Sequence, residues 1–225
     1  YLLKFRNFNK NFHEINYAGS LMNPKLRFTM QTIYSDETET SISVRGLSSY
    51  SDLTLMSMGS REDRAEYNQD QLVEFKDIFL KIKSLDSESR YKGILQLFYG
   101  TDSIPRQSNL LTLSYFSTLE ALLTNGRNDG ESITNQLIYK TQLLLNMSET
   151  VNYQHLFNDL NYDKLWKKLY KLRSDIAHGN KLDFPKDLSS LKNIDTVNIY
   201  LDTVVQKLLR FSLSHQKMVD DLKCC

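Results

Sequence analysis

An arginine and a histidine five residues apart, Arg173 and His178, lie in the run Tyr170-Lys171-Leu172-Arg173-Ser174-Asp175-Ile176-Ala177-His178-Gly179-Asn180. A guanidinium is a permanent, forked cation that can hold two phosphate oxygens, and an imidazole titrates near neutrality, so it can take or give a proton. Leu172 and Ile176 keep helical spacing through the run, which places a packed segment here with its polar residues emerging at a helix end beside Gly179. On an ideal helix, two side chains five apart point about 140° from each other, at roughly 100° per residue. They meet on one phosphate only if the last turn unwinds near Gly179, or if a second copy of the helix supplies the opposite partner. Arg and His near a helix C-terminus also neutralise its dipole, and the pair by itself leaves that structural role open.

Glu120 stands four after Phe116 and three before Leu123, so its carboxylate points along an apolar stripe and needs a partner. That partner is either Arg173, whose rotamer it would fix, or another core-facing base. Lys164, Lys167, Lys168, Lys171 and Arg173, opposed by Asp163 and Asp175, make a positive strip on the same segment, readable as a solvated face or as a track for a phosphate backbone. Trp166 and Tyr170 precede Arg173 at helical spacing, where core or dimer packing is favoured over base stacking. Of the remaining histidines, His13 and His155 lie in polar surroundings read as loops, and His215 is read as a residue near the end of the last helix. The chain has no glycine-rich phosphate loop, no His-Glu-x-x-His, no Cys-x-x-Cys and no Gly-x-Ser-x-Gly.

The elements that must position these residues are helical from about residue 66 to residue 225. Leu72, Phe75, Phe79 and Ile82 predict a first helix, and Tyr91, Ile94, Leu95 and Phe98 a second, capped by Asp86 or Ser87 and followed by Gly100. A third runs from about Pro105 to Thr124 with Leu113, Phe116, Leu119 and Leu123 inward, and the loop Asn125 to Gly130 stops it. A fourth carries Ile133, Leu137, Leu144 and Met147, and a fifth carries Leu165, Leu169, Leu172 and Ile176. Ile194, Val197, Leu201, Val204, Leu208 and Phe211 mark a long sixth. Six amphipathic helices must bury their stripes against one another, so the fold class expected is mainly α, a bundle of about six helices. Residues 1–65 differ: Leu26, Phe28 and Met30, then Ile42 and Val44, then Leu53 and Leu55 alternate with the period of strands, predicting a small β-rich or irregular N-terminal region. Because the chain opens at Tyr1, that region is read as the end of a larger upstream domain.

Size and charge narrow the function classes. At 225 residues the chain can bury a substantial core, and 28 basic against 27 acidic residues give a formal charge of +1, so any anion site must be local. The cysteines, Cys224 and Cys225, are adjacent at the C-terminus with no His or Cys at metal-ligand spacing, so a reducing cytosol and no metal are expected. With no apolar run approaching about 18 residues and no signal sequence, a cytoplasmic protein without a membrane partner is expected.

Arg-x4-His closing on Gly, in the run LRSDIAHG, resembles the signature of the HEPN superfamily, and more narrowly of its Apea-like group. TLSYFSTLEALLT resembles the family helix that ends in a Leu-Glu-Ala-Leu-Leu type segment, and ITNQLIYKTQLLL the helix after it; the resemblance covers about residues 70 to 215. It implies a HEPN-like helical bundle whose homodimer faces two motifs across a cleft as a metal-independent endoribonuclease, acting in bacterial anti-phage or toxin defence under an antitoxin or regulatory partner, with no cofactor. Arg173 and His178 would then be catalytic, Glu120, Ser174 and Asp175 supporting, and Lys164, Lys167, Lys168 and Lys171 RNA-binding. Ser174 follows the Arg where the superfamily often carries an amide, acid or imidazole. A non-catalytic HEPN module that dimerises or binds a ligand or partner is the rival, and a helical interaction domain with a chance motif the third reading.

Overall fold

The computed structural model describes residues 11–26, 32–35, 42–45, 67–125, 132–157 and 160–225. Packing divides the chain into two compact units, Tyr1–Phe79 and Leu80–Cys225. The boundary expected near residue 65 lies outside the described residues.

In the first unit, α1 (Phe12–Ser20) buries Ile15 and Ala18, and Leu21 and Met22 follow it into the same core. Two short strands, β1 (Thr32–Ser35) and β2 (Ile42–Arg45), pair antiparallel with Ile33 opposite Val44. Tyr67 donates its hydroxyl to the carbonyls of Pro24 and Lys25, both at 3.1 Å. A β-rich region is not shown by the described residues, which give one antiparallel pair of strands and a helix that alternation did not reveal. Ile42 and Val44 lie on β2, Leu26 lies outside any strand, and Phe28, Met30, Leu53 and Leu55 are not among the described residues. His13 sits on α1 rather than in a loop. The helix α2 (Gln69–Lys83) spans the division between the units, and its inward residues are Phe75, Ile78 and Ile82, with Phe79 only half-buried.

The second unit is a helical bundle of α3 (Arg90–Gly100), α4 (Asn109–Leu123), α5 (Ile133–Met147), the single turn α6 (Gln154–Phe157), α7 (Tyr162–Ala177), α8 (Ile194–Ser214) and α9 (Gln216–Cys224). At its centre is α4, which packs against α3, α5, α7, α8 and α9. Its apolar residues allow this: Leu111, Tyr115, Phe116, Leu119, Leu122 and Leu123 are buried on several faces, so α4 is not the one-sided helix of a surface layer.

Side chains account for where the helices begin. Ser108 accepts from the backbone N–H of Leu110, Ser132 from Asn135, Asn161 from Lys164 and Asn193 from Thr196, each taking an orphan donor of a first turn. The Ser108 cap moves the start of α4 to Asn109, past the position expected at Pro105. Buried Asn198 of α8 holds the preceding turn, donating to the carbonyls of Arg106 at 2.6 Å and Ser108 at 3.2 Å while accepting from the Thr112 hydroxyl at 2.7 Å. On α5 the stripe is Leu137, Ile138, Leu144 and Leu145, whereas Ile133 and Met147, expected inside, are 39% and 52% exposed. Gly100 closes α3 as its last helical residue at φ −59° and passes straight into a turn of 3-10 helix, Thr101–Ser103, without a left-handed cap.

The long sixth helix of the expectation is two helices, α8 and α9, broken at His215. The cause is local: His215 Nδ1 takes the carbonyl of Phe211 at 3.0 Å, while its backbone N–H turns to Ser212 at 3.1 Å. In an uninterrupted helix that backbone N–H would bond the Phe211 carbonyl, so the ring has displaced it. His155 likewise sits on a helix, α6, not in a loop. Among the described residues no helix is long and apolar enough to cross a membrane.

The tyrosines of the second unit set its response to alkali. Burial pushes the Tyr91 hydroxyl up to about 12 and holds those of Tyr115, Tyr162 and Tyr200 above the ordinary tyrosine range, with the Asp202 carboxylate adding to the effect at Tyr115. A folded pKa above an unfolded value of about 10 means that stability is whole below pH ~10 and declines as the pH rises through the folded values. Lys223, held below its ordinary range first by burial and then by Arg90 and Lys140, acts the other way just below about 10.5, one group against four. The urea midpoint is expected to fall steadily between about pH 10 and 11.5. A midpoint unchanged over that range would contradict the burial assigned to these hydroxyls.

Candidate functional site

Two helices carry the residues singled out above: α4 presents Glu120 one turn before its C-terminus, and α7 presents Arg173 near its own. The stripe Leu165, Trp166, Leu169 and Leu172 seats α7 in the bundle. Phe116 of α4 meets Trp166 edge-on at 6.3 Å and Tyr170 edge-on at 5.9 Å, so these rings set the spacing between the two helices. Trp166 is 1% exposed and out of reach of any stacked base.

One turn beyond these rings, Arg173 Nη2 donates to Glu120 Oε2 at 3.2 Å. The two side chains retain 29% and 21% of their exposure, so the pair lies at the rim of the packed interface. The contact is single-pronged: Arg173 Nε and Glu120 Oε1 are both buried with no hydrogen-bond partner among the described residues. The Arg173 guanidinium carbon lies 5.7 Å from the centre of the Tyr170 ring. Carboxylate and ring thus confine the guanidinium from two sides.

Helix α7 ends without unwinding. His178 still donates its backbone N–H to Ser174 at 3.0 Å, then Gly179 donates to Ile176 at 3.1 Å and Asn180 to Asp175 at 2.8 Å. That pair of reversed bonds, with Gly179 at φ +69°, is the Schellman closure, and a left-handed residue here favours glycine. The last turn therefore keeps Arg173 and His178 about 140° apart, and one copy does not bring them together. His178 is exposed at the helix end.

Asp175 is committed to this closure. Its side chain accepts from Asn180 Nδ2 at 3.0 Å and pairs with Lys171 at 3.7 Å. Lys171 also reaches Asp187 at 3.9 Å, and Lys168 donates to the Asp187 carbonyl at 3.2 Å. The basic strip is thus partly neutralised at the end nearer Arg173, whereas the exposed ammonium groups of Lys164 and Lys167 make no hydrogen bond or ion pair to a described residue. Ser174 is half-buried and contributes its carbonyl to His178. Among the described residues no group of three or more His, Cys, Asp or Glu side chains is placed to hold a metal ion.

Sequence reasoning missed a second polar cluster beside this one. Arg90, Lys140 and Lys223 all donate to carbonyls in the last turn of α4, directly after Glu120. One signal was available. Lys140 is the lone charge in the α5 run ITNQLIYKTQLLLNM, and a single cation among apolar residues at core spacing needs acceptors.

Two outcomes test this geometry. Glu120→Ala and Arg173→Ala should be non-additive in unfolding free energy, with a coupling of about 1 kcal/mol for a partly exposed, single-pronged pair. A coupling near zero in a double-mutant cycle would show that the pair contributes nothing. Gly179→Ala should cost about 1 kcal/mol through backbone strain alone, because a Cβ there meets no atom within 4 Å.

The chain matches no protein-family model, no curated protein and no solved structure.

Proposed function

We propose that the chain is a metal-independent endoribonuclease of the HEPN type that works as a homodimer. The observation that carries this reading is the intact end of α7, which holds exposed His178 away from a guanidinium fixed by Glu120. Such a helix end cannot supply cation and base to one phosphate by itself, whereas two copies related by a dyad can supply both.

The chemistry follows from the residue types. Neutral His178 accepts the proton of a ribose 2′-hydroxyl, and the freed oxygen attacks the adjacent phosphorus in line as the bond to the 5′-oxygen breaks. His178 of the partner subunit, or water, returns a proton to that oxygen, giving a 2′,3′-cyclic phosphate and a 5′-hydroxyl. Arg173 holds the nonbridging oxygens as charge builds on them. The nucleophile belongs to the RNA, so the route needs no metal-activated water. Lys164 and Lys167 are the residues best placed along α7 to follow the phosphate backbone, ahead of Lys168 and Lys171. A role in cytoplasmic bacterial defence, under an antitoxin or other regulator, follows from the HEPN resemblance.

The rival reading, a non-catalytic HEPN module, is favoured by one observation: Arg173 is already engaged by Glu120 and Tyr170, as a residue that only joins α7 to α4 would be. His178→Ala separates the two. It should change unfolding free energy by no more than about 1 kcal/mol, as at exposed sites, and lower cleavage of single-stranded RNA in EDTA by about two orders of magnitude or more. Leu172→Ala, at a fully buried position, should do the reverse, costing roughly 2 to 5 kcal/mol while sparing turnover in the folded fraction. Cleavage at the wild-type rate by His178→Ala, or a fully active monomer in light scattering, would overturn the composite site.

A further inference from the structure

The last three carbonyls of α4, those of Ala121, Leu122 and Leu123, receive no backbone N–H from a following turn, so each needs another donor. All three have one, whereas the Glu120 carbonyl keeps its helical bond from the Thr124 backbone N–H and adds the Thr124 hydroxyl, both at 3.0 Å. That of Ala121 accepts from Arg90 Nη1 at 3.1 Å and Lys223 Nζ at 2.6 Å, that of Leu122 from Arg90 Nη1 at 3.3 Å, and that of Leu123 from Lys140 Nζ at 3.2 Å. Positive groups also suit the negative end of the helix dipole.

Two of these donors depend on α9. Lys223 belongs to it, and Arg90 is held by its Asp220, which accepts from Arg90 Nε at 2.7 Å and Nη2 at 2.5 Å. Tyr91 adds a hydroxyl to Asp220 at 3.0 Å, and Val219, fully buried, seats the helix. Between α9 and the body of the bundle stands the break at His215. The residue immediately before the clamped carbonyls is Glu120, whose hold on Arg173 is one 3.2 Å contact.

We infer that α9 is a clamp in which Asp220 and Lys223, together with Arg90, are positioning residues: they fix the end of α4, hence Glu120, hence the guanidinium of Arg173. The catalytic half of this statement rests on the nuclease reading, whereas the mechanical half does not. Release of α9 at the His215 break takes Lys223 from the Ala121 carbonyl and frees Arg90, the donor to Ala121 and Leu122, from Asp220, which lets the last turn of α4 relax. A displacement on the order of 1 Å at a residue that orients a reacting group can cost about a hundredfold in rate.

The test uses the full chain carrying Lys223→Met, which keeps the aliphatic stem, and separately Asp220→Asn, which keeps the shape. The Glu120–Arg173 coupling is measured by urea unfolding of the double-mutant cycle in each background, alongside kcat and KM for a single-stranded RNA in EDTA. The coupling is expected to fall by half or more, and kcat by about tenfold with KM little changed, while Lys223→Arg restores both. An undiminished coupling in both backgrounds overturns the clamp, whatever the activity. Should one substitution prevent folding, the other background decides. If the wild-type chain cleaves no RNA but the coupling still collapses in Lys223→Met, the nuclease reading fails and the clamp stands.

Discussion

A helix enclosed by its neighbours has no solvent to receive its final carbonyls, and much of the polar architecture here answers that one constraint on α4. Helices commonly meet it with a glycine in the left-handed region just past their end, as α7 does at Gly179. Thr124 follows α4 instead, in extended conformation, so the reversed backbone bonds of such a cap cannot form. Side chains from three other helices supply the donors: Arg90 from α3, Lys140 from α5 and Lys223 from α9. The tertiary arrangement is thereby tied to a local requirement, since moving any of these helices away would strip carbonyls of α4 of their donors in a covered site.

The same requirement bears on the candidate site, because α4 is also the helix that presents Glu120. Phe116 against Trp166 and Tyr170 fixes the separation of α4 and α7, and Glu120 with Arg173 fixes their polar register one turn later. Apolar packing and the ion pair are therefore successive layers of one interface. An arginine held by a single prong and faced by one ring is more confined than a free surface arginine, yet it keeps donors beyond the one that Glu120 uses. On the proposed nuclease reading, such partial commitment would let Arg173 meet an oxyanion without first having to be ordered.

What could be read from the residues followed the strength of their periodicity. The stripe Leu165, Leu169 and Leu172 located α7, and Tyr91, Ile94, Leu95 and Phe98 located α3, because each helix keeps its buried residues on one face, interrupted by polar residues at helical spacing. For α4 the pattern gave the helix but not its central place, since a helix covered from several sides has apolar residues on several faces. The break at His215 was illegible for another reason: it depends on one ring nitrogen competing for a carbonyl, with no Gly or Pro to mark it. Short elements left too little pattern, as in α6, where Phe157 is the buried residue, and α9, where Val219 is. Charge was the least legible feature. Five basic residues on one helix read as a strip, but Asp187, distant in sequence, returns through the loop after α7 to meet Lys171 and Lys168.

The end of α7 shows why spacing alone could not decide between one copy and two. Arg-x4-His on a regular helix diverges, and a weak C-terminus could have let it converge by unwinding. The observed closure removes that freedom at several points together: Gly179 takes the left-handed turn, Asn180 bonds back to Asp175 through both backbone and side chain, and Lys171 braces the same Asp175 from the preceding turn. Each bond is modest, but all must break before His178 can swing toward the Arg173 side, and opening would leave the Asp175 and Ile176 carbonyls without partners. Divergence is therefore a stable property of the single chain. Chemistry that requires both groups on one phosphate then requires a second copy, and chemistry that requires only one of them does not.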